Sequence, residues 1–124
     1  MAAWSTDDVR RLADPEEVHV VTRRRAGSLR PPRIIWIVAD GRRVFIRSTN
    51  GRDADWFRWA RATGAGQIIA GGTPQDVAFT EVTLERDLAA ADAGYRSKYG
   101  DYASIVDHLL GPGPRAATLE VTPT

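Results

Sequence analysis

The stretch "RIIWIVADGRRVFIRS", residues 33–48, decides the fold. Its first half, "RIIWIVAD", is a continuous run of β-branched and aromatic residues, which indicates a strand that is buried on both faces. The dipeptide Asp40-Gly41 is typical of a tight turn, so "RRVFIRS" should return as the antiparallel partner of that strand. The sequence therefore predicts a β-hairpin at the centre of the protein.

Further short strands lie on both sides of this hairpin. Strand patterns occur in "EEVHVVTRRR", "GQIIAGG", "VAFTEVT" and "RAATLEVTP". Helical patterns occur in "STDDVRRLA", "DADWFRWARATG", "LERDLAAADAGYRSKYG" and "DYASIVDHLLG". Hairpin links between strands favour antiparallel pairing, because parallel strands need long crossover connections. We predict one domain over residues 1–124, an α+β fold with a small antiparallel six-stranded split β-barrel and flanking helices.

Residues at the ends of the predicted helices indicate where each one starts and stops. Ser5 is placed to cap the first helix, and Gly64 to end the second. Gly100 is expected to provide a left-handed cap after the third helix. The run Gly111-Pro112-Gly113-Pro114 predicts a sharp break before the last strand.

The composition is that of an ordinary globular protein, with 43% hydrophobic residues, 27% charged residues and a net charge of +1. Sixteen of the seventeen basic residues are arginine, and eleven of them lie between Arg23 and Arg61, which suits an anionic ligand. The chain has no cysteine, which excludes disulfides and thiolate chemistry. It also has no apolar run near the ~20 residues that span a bilayer, and its charged start is unlike a secretory signal. We expect a cytoplasmic protein without membrane contact.

The turn after the hairpin carries the main candidate site. A phosphate needs converging donors, and Arg47, Ser48, Asn50, Gly51 and Arg52 could supply them beside the amide groups that open the next helix. Trp56 lies nearest to this turn and is the best candidate for packing on a ligand. The alternative is an ordinary turn in which Asp53 caps the helix and the acids Asp53 and Asp55 pair with arginine.

Two other clusters have both a functional and a structural interpretation. The arginines of the first loop are either solvated surface or a receptor for a second anionic group; they are Arg23, Arg24, Arg25, Arg30 and Arg33. The polar and aromatic residues of "AGYRSKYGDY" offer a cation at Lys98 and proton donors at Tyr95, Tyr99 and Tyr102, or simply form a helix end. Nucleic-acid binding is disfavoured by the low net charge. His19 and His108 are far apart, so no metal site is expected.

Several segments resemble a known family. "PPRIIWIV", "DGRRVFIRS", "NGRDADWFRWA", "VAFTEVT", "YRSKYG" and "SIVDHLL" are similar to an uncharacterised bacterial family, domain of unknown function 2255. That family resembles the FMN-binding split-barrel superfamily, which includes pyridoxamine-phosphate oxidases and deazaflavin (F420) reductases. Those reductases usually carry a proline between the glycine and the tryptophan after the second strand pair, whereas none lies between Gly51 and Trp56 here.

The resemblance implies a function that the residues alone do not. It implies a homodimer that binds FMN or F420 in a groove at the subunit interface, with the cofactor phosphate at residues 47–52. The reaction would be hydride transfer to a small organic acceptor, with no catalytic residue assigned. Two alternatives remain open: a barrel without cofactor that serves as a small-molecule binding module, or a cyclase or isomerase that uses the same pocket.

Overall fold

In the computed structural model, which describes residues 3–124, seven strands form one antiparallel sheet. The strands are β1 Val18–Thr22, β2 Arg33–Ile35, β3 Ile37–Asp40, β4 Arg43–Arg47, β5 Ala65–Ala70, β6 Thr73–Glu81 and β7 Thr118–Pro123. The helices are α1 Thr6–Ala13, α2 Asp55–Thr63, α3 Glu85–Tyr99, α4 Ala103–Leu109 and α5 Pro112–Arg115, and a 3₁₀ turn covers Gly51–Asp53.

The order of strands in the sheet is β2-β1-β5-β6-β7-β4-β3. The two edge strands, β2 and β3, are consecutive in the chain and are separated by Trp36 alone. The chain therefore joins one edge of the sheet to the other, and the sheet is nearly closed into a barrel with one seam at Trp36. The predicted α+β split barrel with flanking helices is confirmed.

The predicted number of strands was wrong by one. The run "RIIWIVAD" is two strands with different partners: β2 pairs with β1, and β3 pairs with β4 in the predicted hairpin. A strand that must serve both edges of a closing sheet has to turn between them, and this one turns at Trp36. The apolar character of the run is still explained, because Ile37 and Val38 are both fully buried on opposite faces of β3.

Two apolar clusters hold the fold together. The barrel interior is filled by inward residues of the strands together with Trp4, Leu12, Phe57 and Ala60 from the α1 and α2 segments. The second cluster lies outside the barrel, where α3 and α4 cover β3 and β4; it comprises Val38, Phe45, Val82, Ala91, Tyr95, Tyr99, Val106 and Leu109. Burial of each such side chain stabilises the fold by ~1.5–3 kcal/mol.

The helix ends follow the sequence in part. The Ser5 hydroxyl accepts from the Asp8 N–H at 3.1 Å, and Gly64 adopts the left-handed conformation with φ 66°, both as predicted. Gly100 does not provide a left-handed cap: its φ is −56°, since the chain continues through a further turn into α4. The Gly-Pro segment is also not a simple break, because Pro112 opens the short helix α5, where its missing N–H has no intrahelical role.

Candidate functional site

A cleft of about 190 Å³ opens beside the barrel seam. Strand β2, the corner at Trp36, the end of β4 and the helices α2 and α4 all contribute to its wall. Most of the wall is apolar or aromatic, and Glu17 and Thr49 add polar groups. The lining residues are Glu17, Ile34, Ile35, Trp36, Arg47, Thr49, Trp56, Ile105 and Leu109.

The corner at Trp36 is fixed by residues at the end of α3. The Trp36 indole lies parallel to the Tyr99 ring, with 3.9 Å between ring centroids and 3° between planes. The Tyr99 hydroxyl donates to the Glu16 carbonyl at 2.6 Å and accepts from the Ile37 N–H at 3.2 Å. Lys98 Nζ donates to the carbonyls of Pro15 and Ile37 at 2.6 and 2.7 Å. These contacts hold the barrel seam in place.

Burial changes the proton affinity of this region. It lowers the pKa of Lys98 to about 8, against the opposing effect of Asp14 and Glu16. It raises the pKa of Tyr99 to about 12 and raises that of the fully buried Tyr95 as well. Tyr99 therefore remains a hydrogen-bond donor at neutral pH, which the Glu16 carbonyl requires. In this arrangement Lys98 and Tyr99 bond to main-chain groups.

The rim of the cleft is unusually apolar for a surface. Ile34 is 64% exposed and Ile105 is 44% exposed, and both line the cleft. Exposed apolar groups that surround a cavity are typical of a ligand or protein contact. On α4 only Val106 and Leu109 are buried.

Arg47 lies under the cleft in a network of internal bonds. Its residue exposure is 1%, and its guanidinium donates to Asp92 Oδ1 and Thr118 Oγ1, both at 2.7 Å. Further bonds run to the main-chain carbonyls of Leu109, at 3.0 Å, and Leu88, at 3.5 Å. This cation is therefore neutralised by the protein itself.

The other predicted phosphate residues lie on the turn between β4 and α2. Ser48 is 1% exposed and its hydroxyl has no hydrogen-bond partner within residues 3–124, whereas Asn50 is exposed. Gly51 has φ 69° and a buried backbone that approaches Gly113. Arg52 pairs with Glu81 and donates to the Ala116 carbonyl at 2.8 Å. Thr49 and Trp56, at the two ends of the turn, both line the cleft.

Helix α2 does not open with the Asp53 cap of the structural alternative. Asp53 belongs to the 3₁₀ turn, and the cap position of α2 is Ala54, whose side chain makes no capping bond. Asp55 instead pairs with Arg58 one turn later, one of the pairings that the sequence allowed. Helix α4 contacts the turn between β4 and α2, since His108 Nε2 lies within hydrogen-bond distance of the Thr49 carbonyl oxygen, at 2.6 Å.

The arginines of the first loop form a positive surface next to β2. Arg23 and Arg24 bond to loop carbonyls of Gly27 and Leu29, which shapes the loop. Arg30 and Arg33 lie over the Trp59 ring at 4.1 and 5.7 Å from its centroid. Arg30 Nη1 also donates to the Arg23 carbonyl at 2.8 Å, and the cation–π contacts leave the remaining guanidinium N–H groups available to an anion. Arg33 directly precedes Ile34 of the cleft rim.

Two negative observations concern the part of the chain that the structure describes. Within residues 3–124, no group of three or more His, Asp or Glu side chains is arranged to hold a metal ion. Over the same residues, no helix is both long and apolar enough to cross a bilayer.

Sequence reasoning missed the acceptor of Arg47 and much of the cleft wall. Asp92 is 8% exposed and lies on the apolar side of α3, one residue after Ala91 and three before Tyr95. An acid at a core position of a helix predicts a buried cation partner, and this signal was available. Glu17, Ile34, Ile35 and Thr49 could not be grouped from sequence, because the closure of the barrel brings them together.

The fold and the cleft together define a class. A nearly closed antiparallel barrel with one seam and flanking helices is the split-barrel architecture, and solved structures share it. An F420-H2-dependent reductase superposes with a TM-score of 0.62 at 16% identity, over 86% of this chain and 93% of that chain. A conserved hypothetical protein from Mycobacterium tuberculosis gives 0.62 at 9% identity, over 99% and 81% of the two chains. A Listeria innocua protein proposed to be a pyridoxamine 5′-phosphate oxidase superposes with a TM-score of 0.56 at 9% identity, over 91% of this chain and 86% of that chain.

The sequence also places the chain in a family. Residues 8–121 match the family DUF2255, described as an uncharacterized protein conserved in bacteria, and the chain belongs to that family. The resemblance predicted from the sequence is confirmed in both parts, the family and its likeness to split-barrel reductases. No curated protein matches the chain. At these identities the solved structures establish the fold alone.

Proposed function

We propose that this protein binds a flavin or deazaflavin cofactor and acts as an oxidoreductase on a small organic acceptor. The observation that carries the proposal is the cleft at the barrel seam, whose largely apolar wall includes the indoles of Trp36 and Trp56. The support from other proteins is that two split-barrel structures of similar fold are named F420 reductases, the second with a TM-score of 0.50 at 20% identity.

The size of the cleft limits how much of a cofactor one chain can enclose. Sites that bury most of a drug-sized ligand measure ~300–1,000 Å³, whereas this cleft measures about 190 Å³. One chain therefore takes one end of an aromatic ring system and leaves the rest on its surface. The exposed Ile34 and Ile105 at the rim suit a second protein surface. In this proposal a homodimer covers the remainder of the cofactor.

The anionic end of the cofactor needs hydrogen-bond donors, and the structure offers two sets. The sequence predicts phosphate contact at residues 47–52. On that turn Asn50 is exposed and offers an amide donor, and Arg52 offers the guanidinium N–H groups that Glu81 and the Ala116 carbonyl leave free. Arg47 is committed to Asp92, so we assign it to holding the floor beneath the turn. Arg30, just before β2, and Arg33, its first residue, suit a longer acidic tail, such as the polyglutamate of F420.

The chain's own contribution to the reaction is binding, orientation and exclusion of water. Trp36 is held by Tyr99 in one orientation, so it offers a preformed flat wall to a ring. Ile105 and Leu109 remove water from that wall, which strengthens the polar contacts made there. When bound, a reduced flavin or deazaflavin supplies the hydride chemistry itself. No residue of the cleft is assigned as a catalytic acid.

A titration of the purified protein with FMN and with F420 tests the proposal. The change is Ile105→Glu, which puts a charge at the rim without disturbing the core, since Ile105 is 44% exposed. Leu84→Glu is the matched control, because Leu84 is 52% exposed and is not one of the residues that line the cleft. We expect fluorescence-detected binding of one cofactor, weakened at least about tenfold by Ile105→Glu and unchanged by Leu84→Glu.

Two results would contradict the proposal. The first is no binding of either cofactor by well-folded protein, which favours a small-molecule binding module or an enzyme without cofactor in the same cleft. The second is binding that both variants weaken equally, because the cofactor would then lie elsewhere.

A further inference from the structure

The cleft contains one carboxylate with no internal cation. None of the ion pairs formed within residues 3–124 includes Glu17. The neighbouring Glu16, by contrast, accepts the Tyr102 hydroxyl at 2.6 Å. The other charged residue of the lining, Arg47, is buried and paired with Asp92. Glu17 is therefore the charge that a ligand in the cleft would meet.

The strand register places this carboxylate against the flat wall of the cleft. Val18 pairs with Ile35 in the antiparallel β1–β2 ladder, and both side chains are buried in the barrel. Glu17 directly precedes β1 and Trp36 directly follows β2, so the two residues flank this pair. Both line the cleft. The carboxylate thus stands beside the indole on which a flat ligand would pack.

An ionised carboxylate can only accept hydrogen bonds. A ligand that displaces water from Glu17 must return a donor to it, because a desolvated charge without a partner costs free energy. A ring with an N–H or a positive charge on that edge satisfies the carboxylate, whereas an anionic or N-methylated edge does not. The cleft is therefore selective for the donor pattern of its ligand.

We propose that Glu17 is a specificity-determining residue that accepts a hydrogen bond from the ring N–H of the ligand. This inference rests on the proposed function, and it names the ring edge that enters the cleft: the pyrimidinedione edge, which carries one imide N–H in flavins and deazaflavins alike. The opposite, benzenoid edge of the ring then faces out of the cleft. Trp36 and Trp56 provide stacking, and Glu17 sets the orientation.

Two ring probes that differ by one methyl group test this orientation. Lumiflavin carries the imide N–H, and 3-methyllumiflavin carries a methyl group in its place. We expect wild-type protein to quench lumiflavin fluorescence and to bind the methylated ring at least about fivefold more weakly. A buried charged hydrogen bond would change the affinity about tenfold or more. We expect a smaller ratio because Glu17 is exposed to solvent. Glu17→Ala should bind both rings alike, and Glu17→Gln should retain part of the preference.

Glu16→Ala is the matched control, because its carboxylate is engaged by Tyr102 outside the cleft lining. It should preserve the preference for lumiflavin. If wild type binds both rings equally, or if Glu17→Ala retains the full preference, the role of Glu17 is overturned while ring binding stands. If folded wild-type protein binds neither ring, both the role of Glu17 and the ring-binding part of the proposed function are overturned. Circular dichroism of each variant establishes that it is folded.

Discussion

Replacing Arg47 by methionine is expected to destabilise the protein severely. Methionine matches the length of the arginine stem and removes every donor of the guanidinium. The side chain of Arg47 is completely buried, so water cannot replace the lost bonds. The change leaves Asp92 without its 2.7 Å partner and leaves the Leu109 carbonyl, at the end of α4, without its 3.0 Å donor.

The magnitude follows from what remains. Removing one partner of a buried ion pair costs ~3–5 kcal/mol. Asp92 keeps a second cation, because Arg115 Nε lies 3.0 Å from Oδ2, and this favours the lower half of that range. The unpaired Leu109 carbonyl adds ~1 kcal/mol or more. We expect a loss of about 4 kcal/mol, a large part of the ~5–15 kcal/mol by which a domain is stable.

Equilibrium unfolding in urea measures this loss. At ~4 °C per kcal/mol for a domain of this size, the melting temperature should also fall by about 16 °C. The control is Arg58→Met, which breaks the exposed pair with Asp55 and should cost less than ~1 kcal/mol. The double variant Arg47→Met/Asp92→Leu should recover part of the loss, because it removes the uncompensated acid as well.

A loss below ~1 kcal/mol for Arg47→Met, at an unchanged slope against urea, would refute the structural role. Arg47 would then be free to bind a ligand anion, as the sequence suggested. The expected result also has a practical consequence. If an Arg47 variant bound the cofactor more weakly, the cause could be either partial unfolding or the loss of a direct contact. Ile105 and Glu17 are therefore the better positions for binding tests.

Three further predictions follow from the packing and the titrating groups. Gly66→Ala should destabilise the protein by ~3 kcal/mol or more in urea unfolding, because its Cβ would lie 2.1 Å from the Val21 carbonyl oxygen; Gly113→Ala, with nothing within 4 Å, should not. Lys98, the only lysine, should reach half of its maximal acylation rate near pH 8, read by peptide mass mapping, and a midpoint at its ordinary value of 10.5 would contradict this. The pKa of Tyr99 is raised from 10.0 in the unfolded chain to about 12 in the folded state, so its contribution to stability is complete below pH 10 and is lost as the pH rises toward 12. Tyr99→Phe should therefore make the unfolding free energy fall less steeply over this pH range.

The β-hairpin and the barrel were predictable because their signals are local. The turn after Asp40 and the alternation of β7 are read within a few residues, and the alternate residues Ala117, Leu119 and Val121 lie together in the barrel core. The break at Trp36 was not predictable, since nothing near it in sequence ends a strand. The break comes from the closure of the sheet, and the corner is held by a partner 63 residues away, the Tyr99 ring on which the indole stacks.

The site shows the same division between local and distant causes. The turn between Arg47 and Trp56 was predicted correctly as a turn that leads into a helix, because glycine and polar residues are typical of turns. The environment of Arg47 depends on Asp92, which is 45 residues away and reaches it only when α3 packs on β3 and β4. A buried arginine and a ligand-binding arginine have the same letter in the sequence, and burial decides between them.

Because Arg47 is already paired, we expect ligand recognition to depend less on the turn at residues 47–52 than on the barrel seam beside Glu17. A guanidinium that is satisfied by a carboxylate, a hydroxyl and two carbonyls has little left to give an anion, whereas the Glu17 carboxylate, near the partly exposed Trp36 indole, forms no ion pair within residues 3–124. The unsatisfied group is the one whose energy changes most when a ligand excludes water. The ligand preference of the cleft should therefore depend on Glu17 more than on Arg47, and comparing the two ring probes on Glu17→Gln and on a folded Arg47 variant would decide between them.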